Sequence, residues 1–171
     1  MTTPLQALEA RLAASRPRSL LYLSARPAAA FAGHNARDGD VMTVTVRNDV
    51  RSVTDLADET RYDCALVADF LEHLPKDDGV AVLGRLRNLH APQLIVFIDH
   101  VSSVAAWTLD DFIALGFRHD QDLRGNVNAN PGSTERTLAL YSYDIATYNH
   151  ERDWNNPRHW ANPEMWGKYF W

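Results

Sequence analysis

Short apolar segments alternate with polar segments along this chain, and their spacing predicts an α/β fold. The clearest example covers residues 61–99, where two apolar strands flank one amphipathic helix and the strands end in Asp69 and Asp99. The second strand, QLIVFI, shows no alternation of polar and apolar residues, which indicates burial on both faces of a parallel sheet. Ligands of such sheets bind beyond the carboxyl ends of the strands.

The segments around this unit extend it to a sheet of about six strands. One capping box over Thr3–Gln6 predicts an amino-terminal helix, another over Thr108–Asp111 predicts a later one, and residues 75–89 form the amphipathic helix of the unit. Strands that alternate with helices in this way build a doubly wound, mostly parallel sheet. The four further strands are predicted at SLLYLS, VMTVTV, residues 117–123 and TLALYSYDI.

The composition narrows the class of protein. The chain has 171 residues, of which 46% are hydrophobic and 23% are charged, enough apolar material for one globular domain. Its net charge of −5 argues against nonspecific binding to nucleic acid or to an anionic membrane surface. The sequence shows neither a secretory signal nor a membrane-spanning apolar segment, so a cytoplasmic location is expected. The one cysteine, Cys64, lies in an apolar strand and is expected to be a buried core residue.

The last part of the chain, residues 148–171, differs from the α/β domain predicted over residues 1–147. It contains four of the five tryptophans and a near-repeat, NPRHW and NPEMW. Because disordered segments are poor in aromatic residues, an ordered C-terminal extension is expected. It would pack on the domain itself, on an unknown protein partner or on a second copy as a homodimer. Acidic residues in the extension argue against nucleic acid as the partner.

A cluster of ionisable side chains follows the two strands of the 61–99 unit. Asp69, Glu72 and His73 place two carboxylates and one imidazole within a single turn, a set that suits a divalent metal. Asp99 and His100 follow the neighbouring strand, so all five are expected to face one cleft as catalytic residues, with one of them serving as general base. A structural role is the alternative, in which Glu72 caps the following segment and His73 packs at the sheet edge.

The segment YDCALVADFLEH, with the helix and the apolar strand after it, resembles the second half of class I S-adenosylmethionine (SAM) methyltransferases. Its D-x-x-E-H part is similar to the E-x-x-E-H of ubiquinone-pathway O-methyltransferases, in which that segment holds a metal. The resemblance spans residues 18–145 and implies a Rossmann-like sheet whose last strand is antiparallel. It also implies SAM as the cofactor, with binding positions at Ser24, Ala25, Asp49 and Asp69. The overall pattern suggests a small bacterial family of unknown function.

The turn after the first strand departs from the glycine-rich pattern that lets a backbone approach this cofactor closely. Residues 23–30 contain no glycine, Pro27 removes a backbone donor, and Arg26 adds positive charge where the SAM sulfonium would lie. Two hypotheses follow. The first is a divergent methyltransferase-like pseudoenzyme that acts as a binding or interaction protein without SAM-dependent catalysis. The second is an active SAM-dependent methyltransferase of a small-molecule substrate, with an atypical glycine-free cofactor turn.

Overall fold

The computed structural model describes residues 2–25, 42–125 and 136–148. The helices are α1 (Pro4–Ser15), α2 (Lys76–Arg85), α3 (Leu109–Ala114) and α4 (Ile145–Tyr148). The strands are β1 (Ser19–Leu23), β2 (Thr43–Arg47), β3 (Cys64–Ala68), β4 (Gln93–Ile98), β5 (Arg118–Gly125) and β6 (Arg136–Asp144). Two 3-10 turns, Val53–Leu56 and Leu71–His73, and one π-helical turn, Leu86–His90, join these elements. The predicted positions Arg26 and Pro27 and the extension from residue 149 onward lie outside the described residues.

The described strands form one six-stranded sheet in the order β2-β1-β3-β4-β6-β5. The four strands β2, β1, β3 and β4 are parallel to one another. Strand β6 runs antiparallel between β4 and β5, so the predicted antiparallel last strand beside its predecessor is confirmed. The strand order reverses at β1, and the crevice between β1 and β3 is therefore the point at which doubly wound sheets bind their ligands.

Strands β3 and β4 lie at the centre of the sheet, which explains why their sequences do not alternate. Every residue of β3 is buried, as are the last five of β4. The α2 and α3 side chains cover one face together with Leu56, and α1 covers the other face through Leu8. Cys64 is fully buried as predicted, and this burial raises the pKa of its thiol to about 12.

The helix ends follow from local side-chain chemistry. Thr3 and Gln6 form the predicted capping box at α1, and Thr108 and Asp111 form the one at α3. The helix predicted over residues 75–89 is shorter, because α2 ends at Arg85 and continues as the π-helical turn. None of the helices in the described ranges is long and apolar enough to cross a membrane.

Candidate functional site

Polar and acidic residues follow each of the four parallel strands and meet along one side of the sheet, which we call the carboxyl edge. Ser24 and Ala25 follow β1, Asp49 follows β2, Asp69 follows β3, and Asp99 follows β4. The structure therefore brings the predicted cofactor positions and the predicted catalytic acids to the same side of the sheet. None of the residues that directly follow these strands is a glycine.

Backbone hydrogen bonds join the strand ends at this edge. The Ser24 amide donates to the Arg47 carbonyl over 3.2 Å, and the Ala25 amide donates to the Asp69 carbonyl over 2.9 Å. The second bond bridges β1 and β3 beyond the end of both strands, at the crevice where the strand order reverses. The amides of the first two residues after β1 are thus already engaged within the chain.

The carboxylate of Asp49 is paired with the last residue of β2. Arg47 donates to its two oxygens, from Nε to Oδ1 over 2.7 Å and from Nη2 to Oδ2 over 3.2 Å. Arg47 also contacts Glu59, so it is held between two acids. The hydrogen bond from Arg47 lowers the pKa of Asp49 below its usual value. Asp49 is therefore an exposed, ionised group with an internal cation beside it.

Asp69 adopts a backbone conformation that non-glycine residues rarely use. Its φ is 50°, in the left-handed region that aspartate tolerates better than most residues. His73 Nε2 lies 3.2 Å from Asp69 Oδ1, and the side chains are 45% and 19% exposed, respectively. Unusual backbone conformations concentrate at functional sites. The Asp69–His73 pair is consequently the part of the predicted cluster that solvent or a ligand can reach.

Glu72 is buried and binds backbone groups on two different segments. Its Oε2 accepts from the Phe70 amide over 3.0 Å, and its Oε1 accepts from the Asp99 amide over 2.8 Å. Burial raises the pKa of Glu72, although the Asp99 N–H opposes this shift. This carboxylate therefore ties the turn after β3 to the end of β4, which is the structural role that the sequence left as the alternative.

The predicted metal site at Asp69, Glu72 and His73 is not supported by this geometry. Both oxygens of Glu72 face backbone amides, whereas Asp69 and His73 pair with each other. Across residues 2–25, 42–125 and 136–148, no group of three His, Cys, Asp or Glu side chains is arranged to hold a metal ion. This geometry arises because the turn Leu71–His73 buries the Glu72 side chain and leaves the Asp69 side chain partly exposed, which separates the two carboxylates.

Asp99 caps the turn that follows β4. Its Oδ1 accepts from the Val101 and Ser102 amides over 3.0 and 3.2 Å, and its Oδ2 accepts from the Ser102 hydroxyl over 2.6 Å. Burial alone would raise the pKa of Asp99, but these hydrogen bonds and the guanidinium of Arg136, 3.9 Å away, together hold it below the usual value. Asp99 is thus an ionised group whose oxygens are used in stabilising its own turn.

His100 points away from Asp99 and into an aromatic cluster. Its Nδ1 lies 2.8 Å from the Trp107 carbonyl, and its Nε2 lies 3.0 Å from the Tyr141 hydroxyl. A carbonyl only accepts, so Nδ1 carries a proton and donates to Trp107, while the Tyr141 hydroxyl can donate to or accept from Nε2. Phe112 stacks on Tyr141 with ring centroids 3.9 Å apart. The five predicted catalytic residues therefore divide into separate interactions and do not converge on one centre.

Sequence reasoning did not identify Arg47, Trp107 or Tyr141 as residues of this edge. Arg47 was identifiable in principle, because it ends β2 only two positions before Asp49. Tyr141 lies on β6 and reaches His100 only because β6 returns beside β4. No local pattern in the sequence signals that contact.

The strand order of the sheet and the antiparallel β6 give this chain a fold like that of class I SAM methyltransferases. Within that fold, the chain belongs to a family of unknown function, DUF6231, whose model matches residues 2–171. The family assignment fits the prediction of a divergent family of unknown function. No curated protein sequence is similar enough to this chain to count as a match.

Solved methyltransferase structures are similar to this chain in fold. The methyltransferase domain of bacterial-CtHen1-C is 15% identical with a TM-score of 0.54, over 84% of this chain and 98% of that one. N-methyltransferase NodS from Bradyrhizobium japonicum WM9 is 13% identical with a TM-score of 0.52, over 81% and 93%. Burkholderia thailandensis 1,6-didemethyltoxoflavin-N1-methyltransferase, with 1,6-didemethyltoxoflavin and S-adenosylhomocysteine bound, is 17% identical with a TM-score of 0.52, over 82% and 77%. At such identities the similarity establishes the fold alone.

Proposed function

We propose that this chain is a methyltransferase-fold protein that acts as a binding protein and not through SAM-dependent methyl transfer. One observation carries the proposal, namely that each acid at the carboxyl edge is engaged by groups of the chain itself. Asp49 pairs with Arg47, Asp69 pairs with His73, and Glu72 and Asp99 accept from backbone amides and a hydroxyl. The acids at this edge therefore stabilise the chain through internal hydrogen bonds and ion pairs.

The residues present do not fit SAM well. In the methyltransferases that the sequence resembles, the acid after the second strand holds the ribose hydroxyls of SAM. In this chain, Asp49 would first have to release Arg47. The Ala25 amide, which the turn after β1 would offer to the cofactor, is bonded to the Asp69 carbonyl. These two features support a non-catalytic role, in which residues 148–171 provide the interaction segment for a protein partner or a second copy.

A calorimetric titration of the full-length protein with SAM and with S-adenosylhomocysteine tests this proposal. We expect no heat of binding and no change in melting temperature at millimolar ligand. The melting temperature is a sensitive measure of binding, because a ligand at 100 times its Kd adds about 2.7 kcal/mol to the free energy of unfolding. Micromolar binding of either compound would overturn the proposal. An Arg47→Ala variant extends the test, since freeing Asp49 should increase any residual affinity if Arg47 is what obstructs the site.

An active SAM-dependent methyltransferase is the second candidate, and one observation favours it. Asp69 adopts a left-handed conformation at the crevice between β1 and β3, and its pair with His73 is partly exposed there. If SAM binds, Asp69→Ala and His73→Ala should each weaken binding or methyl transfer, whereas an exposed acid on α2 changed as Asp77→Ala should not. Equal SAM affinity and equal methyl-transfer rates in all three variants would show that Asp69 and His73 take no part in binding or catalysis.

A further inference from the structure

The two outermost strands of the described sheet, β5 and β2, differ in how well they are protected against pairing with another chain. Strand β5 reads RHDQDLRG, so half of its eight residues are charged. Its register with β6 also shifts between His119 and Gln121. Charged side chains and irregular pairing are the means by which edge strands avoid adding a further strand. Strand β5 is therefore protected.

Strand β2 has neither form of protection. It reads TVTVR, and it pairs with β1 over its full length without a shift in register. Its one charged residue, Arg47, is already bonded to Asp49 and Glu59 of the same chain. Val46 is 42% exposed, and no strand of the described ranges pairs with the outer side of β2, the side away from β1. An uncharged edge of β-branched residues is the kind that accepts another strand.

The hydrogen bonds to β1 show which backbone groups of β2 point outward. The amide of Thr43, at the start of the strand, donates to the Arg18 carbonyl over 2.8 Å. The carbonyl of Arg47, at its end, accepts from the first residue after β1 over 3.2 Å. Since backbone groups of alternate residues point to opposite sides of a strand, the first, third and fifth residues bond to β1. The amides and carbonyls of Val44 and Val46 consequently point to the outer side.

A second copy of β2 offers the matching set of groups. If the two copies run antiparallel about a two-fold axis at Thr45, Val44 of each copy lies opposite Val46 of the other. Each such pair exchanges two amide–carbonyl bonds, and the axis generates two pairs, so four bonds form. Arg47 then lies opposite Thr43 of the other copy, and no two like charges meet. The outer side of β2 is thus complementary to itself, as a two-fold interface requires.

We propose that two copies of this chain pair antiparallel through β2 and join their sheets into one continuous sheet. The occupant is a second copy because one register satisfies all four outward backbone groups of β2 and opposes no charges. The inference does not depend on whether the protein binds SAM. It is also separate from the interaction role proposed for residues 148–171, since its tests change residues of β2.

A pair of cysteine substitutions in the full-length chain tests the register. In the proposed dimer, the two copies of Thr45 form a non-hydrogen-bonded pair with Cα atoms about 4.5 Å apart, a distance that a disulfide spans. The two copies of Thr43, on the same face of β2, would lie about 14 Å apart and are the matched control. Cys64 is buried and does not compete. Under mild oxidation we expect covalent dimers of Thr45→Cys and few of Thr43→Cys. Equal yields, or a higher yield for Thr43→Cys, would overturn the proposal.

Sedimentation equilibrium of the reduced full-length protein tests the dimer itself. Val46→Pro removes the outward amide of each copy, and therefore two of the four bonds, without removing a bond to β1. We expect the wild-type protein to dimerise, and the dissociation constant of the dimer to rise about ten-fold or more in Val46→Pro. A wild-type protein that stays monomeric at the highest soluble concentration would overturn the proposal.

A lysine variant covers the case in which proline disturbs the fold of β2. Val46→Lys leaves the backbone intact but places a charge on the outer strand of each copy, which opposes strand pairing. Val104→Lys is the matched control, because Val104 is 93% exposed and lies outside β2. We expect Val46→Lys to weaken the dimer and Val104→Lys to leave it unchanged. A dimer that is equally stable in both lysine variants would show that the copies associate through another surface, and would overturn pairing through β2.

Discussion

The two ends of the sheet use their polar residues in opposite ways. At the carboxyl edge, Glu72 and Asp99 are buried acids that accept hydrogen bonds from backbone amides and hold neighbouring segments together. At the opposite end, the small side chains of Ala14 and Ser15 leave a cavity, and the Asp144–Gln93 pair lies on its wall. The end at which this fold normally binds its ligand is therefore tied within the chain, and the other end is open.

This difference shows why the position of acids in a sequence does not by itself identify a catalytic centre. Carboxylates beyond parallel strands are available to a ligand only to the extent that the chain's own donors leave their oxygens unused. In this protein, Glu72 and Asp99 accept hydrogen bonds from four amides and one hydroxyl of the chain itself. The contrast between the two ends can be tested by removing one hydrogen-bonding side chain from each end.

The largest expected effect is from Glu72→Ala at the carboxyl edge. Two buried amides, those of Phe70 and Asp99, would lose their acceptor, at roughly 1–3 kcal/mol each, so the free energy of unfolding should fall by about 2–6 kcal/mol. The matched change at the other end is Gln93→Ala, which breaks one partly buried bond to Asp144 and should cost about 1 kcal/mol or less. Urea unfolding at pH 7 measures both, and an equal loss in the two variants would contradict the contrast between the ends.

The second prediction concerns α2, which packs against Trp107, the residue whose carbonyl is bonded to His100. A Cβ at Gly79 would approach Trp107 Cζ2 to 2.6 Å, so Gly79→Ala must displace the indole and should cost about 1–3 kcal/mol. Gly84 on the same helix has no atom within 4 Å of such a Cβ, so Gly84→Ala should instead stabilise the protein by about 0.5–1 kcal/mol. Thermal unfolding measures whether each variant is less or more stable than the wild-type protein. A stabilising Gly79→Ala would show that Trp107 has room to move and that the carboxyl edge is less firmly fixed.

Much of the fold was predictable from the sequence because its signals are local. The buried run of β4, the capping boxes at Thr3 and Thr108 and the strand lengths all depend on residues close together in the chain. The placing of the acids after the strands was predictable for the same reason. The roles of those acids were not, because they depend on contacts between distant segments: Glu72 reaches the Asp99 amide, and His100 reaches Tyr141 on a strand 41 residues later.

The smallest expected effect is a pH-dependent one at Asp99. The hydrogen bonds from Val101 and Ser102 hold its folded-state pKa below the reference value of 3.8, so it stabilises the folded state when it is ionised. That contribution is present above the unfolded pKa and is lost as the pH falls through the folded pKa. Asp99→Asn keeps an acceptor for the amides but loses the charge, and should cost about 1–2 kcal/mol at pH 7. Urea unfolding of both proteins at pH 7, 5 and 3 should show this difference shrinking only at the lowest pH. Ser102→Ala, which removes one donor and keeps the carboxylate, should show a smaller loss at pH 7. A gap between wild type and Asp99→Asn that stays constant down to pH 3 would mean that the charge of Asp99 does not stabilise the turn, and the carboxyl edge would then be held mainly by Glu72.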